Sequence, residues 1–171
     1  MVHYPRGAAN GVLGEVMDRW DNYVALPTTS VVDTEELVAD LWARRVEHYV
    51  PHKKHLAERH LSAFEDLVRK WHTEALHDVR FHPYWEYIKG YHKSWAVGGD
   101  KAETEMLRMV KDGYNLYNSI KNDGMRNPLC AIFENGSRYL YRGWRRLVIL
   151  HVLDITKARI ANAIVDHHPG A

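Results

Sequence analysis

The 171-residue sequence predicts an α+β fold, a small mixed sheet surrounded by helices. Three observations carry this expectation. Long stretches between Asp33 and Asn122 place apolar side chains at helical spacing. The last third holds a strand, turn and strand over Pro128–Phe133, Asn135-Gly136 and Arg138–Arg142. That hairpin runs straight into a helical pattern from Trp144 to about Leu153, with a final short strand candidate at Arg159–Val165.

Taken in order, the first 32 residues are punctuated by Pro5, Gly7, Gly11, Gly14 and Pro27 and predict at most a short helix over Val12–Tyr23. Their aromatic content, Trp20 and Tyr23, suggests a segment that wraps the rest of the chain. A firm helix begins after Asp33, with Glu36 at capping-box spacing and Leu37, Leu41, Val46 and Tyr49 on its apolar side. Pro51 interrupts it or opens the next helix, roughly 54–77, packed through Leu56, Leu61, Phe64, Leu67, Val68 and Trp71. Val79–Tyr91, with Pro83 and Gly90, reads as strand-like or turn-rich surface. A helix over about Ala102–Val110 is expected to break at Gly113 and resume over Tyr114–Asn122, and Asp123-Gly124 stops it.

Composition narrows the function classes. A formal charge of +1 gives no global field for nucleic acid. One cysteine, Cys130, excludes an intrachain disulfide scaffold, and its apolar neighbours favour a packed thiol over a nucleophile. No apolar run is long enough to span a membrane, and the start lacks a signal peptide's hydrophobic core. The expectation is a soluble, cytoplasmic protein with no membrane partner.

The most informative stretch is Arg138–Leu150, in which a strand passes through Gly143 into a helix whose first turn carries Arg145 and Arg146. Free N–H groups at a helix start favour an anion, and guanidiniums add charge and directed donors. The alternative is a plain turn with solvated arginines.

From Tyr114 to Asp166 the pattern resembles the nucleotide-binding fold shared by ParB partition proteins and sulfiredoxins. The matching residues are Leu116-Tyr-Asn-Ser-Ile-Lys-Asn-Asp-Gly124, Asn127-Pro-Leu-Cys-Ala-Ile132 and Tyr139-Leu-Tyr-Arg-Gly-Trp-Arg-Arg-Leu147. The length predicts one domain over 1–171, in which 1–105 is a mainly helical elaboration, and the resemblance makes 106–166 a ParB-like αβ core. The resemblance implies a nucleotide phosphate near Gly143, Trp144, Arg145 and Arg146, with Ser119, Gly124 and Arg142 on the ligand side. ATP or CTP with Mg2+ are the implied cofactors, and a nucleotide-dependent phosphotransferase or nucleotidase is the implied enzyme class. The sequence departs from both branches. Trp144 stands where partition-type members carry glutamate, and no helix-turn-helix follows the block. Sulfiredoxins carry a cysteine just before their helix start, whereas Cys130 lies in the first hairpin strand.

Glu134, at a strand end, and Asp166, after the last strand, are candidate catalytic acids that would position magnesium or a nucleophile; solvated hairpin and exit residues are the plainer alternative. His48, His52, His55 and His60 lack the paired grammar of a zinc site. A non-enzymatic nucleic-acid-associated ParB-like protein is the alternative function. Lys53, Lys54, Arg59, Arg69 and Lys70 would contact phosphate, and Tyr84, Trp85, Tyr87 and Tyr91 would stack bases.

Overall fold

A computed structural model describes residues 2–3, 23–48, 54–94, 100–134 and 136–165. Its strands are Val2–His3 (β1), Tyr23–Asp33 (β2), Leu129–Glu134 (β3), Ser137–Arg142 (β4) and Lys157–Val165 (β5), joined in one sheet in the order β1–β2–β5–β3–β4. Among the described strands only the β3–β5 pair is parallel, so the sheet is mixed. The helices are Thr34–His48 (α1), Lys54–His72 (α2), Pro83–Ser94 (α3), Asp100–Asp123 (α4) and Trp144–Val152 (α5). The fold is α+β, as the sequence predicts.

The core joins one sheet face to the helices. Leu129, Ala131, Leu140, Ala158 and Ile160 present that face, and α5 lies against it with Leu147, Val148, Ile149, Leu150 and Val152 buried. Leu37, Val38 and Leu41 of α1 and Leu61, Phe64, Leu67 and Val68 of α2 complete the same cluster. Full burial of each Leu, Ile, Val or Phe among them contributes about 1.5–3 kcal/mol, so the association is driven by removing these faces from water. Polar bonds then fix the exit of α5. Asp154 adopts φ 54°, its N–H bonds the His151 carbonyl at 3.1 Å, and the Ile155 N–H bonds the Leu150 carbonyl at 3.0 Å. Buried Thr34 at the start of α1 donates through Oγ1 to the Ile155 carbonyl at 2.6 Å and through its N–H to the Thr156 carbonyl at 3.0 Å.

Three local expectations are corrected. Tyr23–Asp33 is a strand, although Pro27 reads as a breaker. The register against β5 shifts between Ala25 and Thr29, so proline sits at an irregularity. Buried Asn162 lies beside it and donates through Nδ2 to the Ser30 Oγ at 2.9 Å. Except for Tyr23, the short helix expected over Val12–Tyr23 lies outside the described residues. Second, Val79–Tyr91 is not strand-like. It forms a 3-10 turn, Val79–Phe81, followed by α3 with Pro83 at its first position. Tyr84, Trp85 and Ile88 fall on one helical face and are buried. His82 fixes this start: its Nδ1 accepts the Tyr84 N–H at 3.1 Å, so the Nε2–H is the donor to Asp66 of α2, at 2.7 Å.

Third, α4 runs through Gly113 without a break. Met106, Val110, Gly113, Tyr117 and Ile120 form a continuous buried stripe. A Cβ at Gly113 would stand 3.4 Å from the Trp71 ring and 3.7 Å from Phe64, so the glycine lets α2 approach. Among the described residues, no helix is long and apolar enough to cross a membrane.

The space at Gly113 yields a prediction. Gly113→Ala fits as an ordinary contact and restricts the unfolded chain, so chemical denaturation should show stability unchanged or raised by up to about 1 kcal/mol. Gly113→Leu should cost about 1–3 kcal/mol by forcing Trp71 and Phe64 apart. A loss with alanine as large as that with leucine would contradict this packing.

Candidate functional site at the start of helix α5

The expected phosphate seat lies where β4 hands over to α5. Gly143 is the only residue between Arg142 and Trp144, and it takes the left-handed conformation, φ 96° and ψ 26°. A Cβ there would lie 2.6 Å from Leu129 Cδ2, so both backbone shape and space require glycine. No side chain caps the helix start. The first-turn N–H groups of α5 therefore have a positive end that favours an anion.

The three neighbouring arginines have different tasks. Arg146 is half-buried, and its Nη1 donates to the Asn127 carbonyl at 2.6 Å and the Pro128 carbonyl at 2.9 Å. Burial pushes its pKa down from the usual arginine value, with the Cys130 thiol opposing. Arg146 is thus a strut between the α5 start and the loop leading into β3. Arg159 of β5 braces the same loop by donating to the Arg126 carbonyl at 2.6 Å. Arg145 is held differently: its guanidinium lies over the Trp144 ring, 5.5 Å from the centroid. Among the described residues it makes no ion pair. Arg142 pairs in register with Cys130 and ends β4 at the rim of the seat.

Trp144 contributes mainly by packing, its ring meeting Phe64 edge-on with centroids 5.2 Å apart. The nearby ionisable groups report positive surroundings. Burial pushes the Cys130 thiol from 9.0 up to about 11, while the charges of Arg142 and Arg146 pull it down. Burial also raises the Tyr84 hydroxyl, opposed by Arg145. Desolvation wins at Cys130, so it is a poor nucleophile.

Other predicted residues lie elsewhere. Gly124, φ 76°, ends α4 and its N–H bonds the Ile120 carbonyl at 3.0 Å, so its conformation serves the helix stop. Ser119 is half-buried on α4, and among the described residues no hydrogen bond or ring contact joins it to Gly143–Arg146. Glu134 ends β3 opposite Ser137, whereas Arg142 pairs with Cys130 at the other end. At about 3.3 Å per residue, the strand sets Glu134 roughly 13 Å along from the seat. Asp166 lies outside the described residues, as do His52 and Lys53. No group of His, Cys, Asp and Glu among the described residues is arranged to hold a metal.

One cluster escaped the sequence reading. His151, in the last turn of α5, meets Glu35 of α1 and Glu65 and Arg69 of α2. Its only sequence signal is a polar residue interrupting the apolar run Leu147–Leu153.

Two measurements check this division. Arg146→Ala should lower stability by about 1.5–3 kcal/mol through loss of charged hydrogen bonds to the Asn127 and Pro128 carbonyls, while Arg145→Ala should cost no more than about 1 kcal/mol, the worth of its contact with the Trp144 ring. Equal losses would show that the roles are not separated. Native Cys130 should react with iodoacetamide at about pH 8 roughly a hundredfold more slowly than the urea-unfolded chain, because its thiolate is scarce. Its folded pKa lies above the unfolded one, so its contribution to stability is present below pH 9.0 and lost as pH rises through about 11. Comparison with protein-family models, curated proteins and solved structures finds no match for this chain.

Proposed function

We propose that the protein binds a phosphate-bearing small molecule of the nucleotide class at the start of α5. The observation that carries this reading is an uncapped helix start in the tight Gly143 turn, beside an arginine that makes no ion pair among the described residues. The α5 N–H groups would receive phosphate oxygens, and Arg145 would swing from the Trp144 face to pair with them. Arg142 adds positive charge at the rim. Arg146 acts indirectly by holding the Asn127–Pro128 loop against the turn.

The resemblance to ParB-like proteins supports ATP or CTP over a simple phosphate. Mg2+ would arrive with the nucleotide, bound through its phosphates rather than by a ready carboxylate cage. The reading is one of binding; the phosphotransferase or nucleotidase expectation gains no support from the placement of Glu134. The nucleic-acid alternative loses part of its basis, because Tyr84 and Trp85 are buried in the core and Arg69 pairs with Glu65.

Isothermal titration with ATP, CTP, GTP and pyrophosphate tests the proposal. Binding should weaken about tenfold or more in Arg145→Ala, equivalent to a lost charge-assisted hydrogen bond of about 1.5–3 kcal/mol. The variant should keep its circular dichroism spectrum. Absence of binding by folded protein at millimolar nucleotide, or full affinity in Arg145→Ala, overturns the reading. Tight binding of DNA or RNA that falls steeply with salt would transfer the function to nucleic acid.

A further inference from the structure

The opposite end of α5 carries an arrangement that nucleotide binding does not use. His151 Nδ1 lies 2.7 Å from Glu35 Oε1, and Nε2 lies 2.9 Å from Glu65 Oε1. A neutral imidazole has one N–H and one lone pair, so it can donate to only one of these carboxylates. The Nδ1 approach to Glu35 is a hydrogen bond and the Nε2 approach to Glu65 a close charge contact, and both become ion pairs only when the ring carries its second proton. That imidazolium also sits in the last turn of α5, where the helix end favours positive charge.

A second arrangement is built from the same groups. Arg69 Nη2 lies 3.2 Å from Glu65 Oε1 and 3.5 Å from His151 Nε2. When the ring is neutral with its proton on Nδ1, the Glu35 bond persists, Nε2 faces the guanidinium, and Glu65 pairs with Arg69 alone. The groups facing His151 are Glu35 from α1 and Glu65 and Arg69 from α2; exposed Asp154 follows it in the turn. With the second proton the four partners His151, Glu35, Glu65 and Arg69 balance in charge. Without it they carry one negative charge in excess.

We propose that His151 is a proton-operated clasp, which in its doubly protonated form ties α1 and α2 to the end of α5 and on deprotonation releases α2 to the Arg69–Glu65 pair. The clasp joins elements far apart in sequence at the one helix whose start forms the basic seat.

Thermal unfolding of wild type and His151→Gln across about pH 5.5 to 8.5 reads the clasp directly. Comparison with the variant cancels the other histidines. The wild type should exceed His151→Gln by about 2–4 °C more at the acid end than at the alkaline end. Glu65→Gln should remove most of that pH dependence while leaving the Glu35 contact. Nitrogen-resolved NMR of the wild-type imidazole supplies a measurement that does not depend on any variant folding. At about pH 5.5 both ring nitrogens of His151 should carry protected protons. A Tm difference that does not change with pH, or a ring protonated on one nitrogen only at the acid end, overturns the proposal.

Discussion

The passage from β4 to α5 through Gly143 is the constraint on which the other features depend. Leu129 begins β3 directly under this turn, leaving no room for a Cβ. The chain can therefore leave the sheet and begin a buried helix within one residue only by using a left-handed glycine. Once α5 starts there, its apolar side chains lie against the β3–β5 face, and α1 and α2 close over them. The parallel neighbours β3 and β5 are connected by β4 and α5 together.

A helix so thoroughly buried has room for polar chemistry only at its ends. At its start, Arg145 and Arg146 are adjacent in sequence but point to different work. Arg146 satisfies loop carbonyls and surrenders solvent, while Arg145 rests on an aromatic ring. At its end, His151 reaches out between α1 and α2. The same apolar burial that fixes the helix thus fixes the separation and direction of both polar groups. Neither group needs a long loop to hold it.

Much of the architecture was legible because local signals agreed. The strands flanking Gly136, the Gly124 stop and the existence of α2 match the structure in kind. Misreadings came from treating punctuation as absolute. Pro27 falls at a register shift in β2, Pro83 opens α3 and Gly113 accommodates two rings from α2. In each case the residue's local penalty is small or absent at its particular position, and packing decides the outcome.

The sequence by itself determined the α+β class, the C-terminal hairpin-to-helix unit and the concentration of arginines around Gly143, since these depend on periodicity and turn chemistry over a few residues. It could not determine that β2 would pair with β5, because pairing depends on strands separated by more than a hundred residues. Nor could it divide the arginines into a strut bonded to carbonyls and an arm resting on a ring, a division set by which carbonyls and rings reach each guanidinium. The grouping of Glu35, Glu65, Arg69 and His151 is likewise tertiary: three helices bring their charges within hydrogen-bond reach only after their apolar faces have packed.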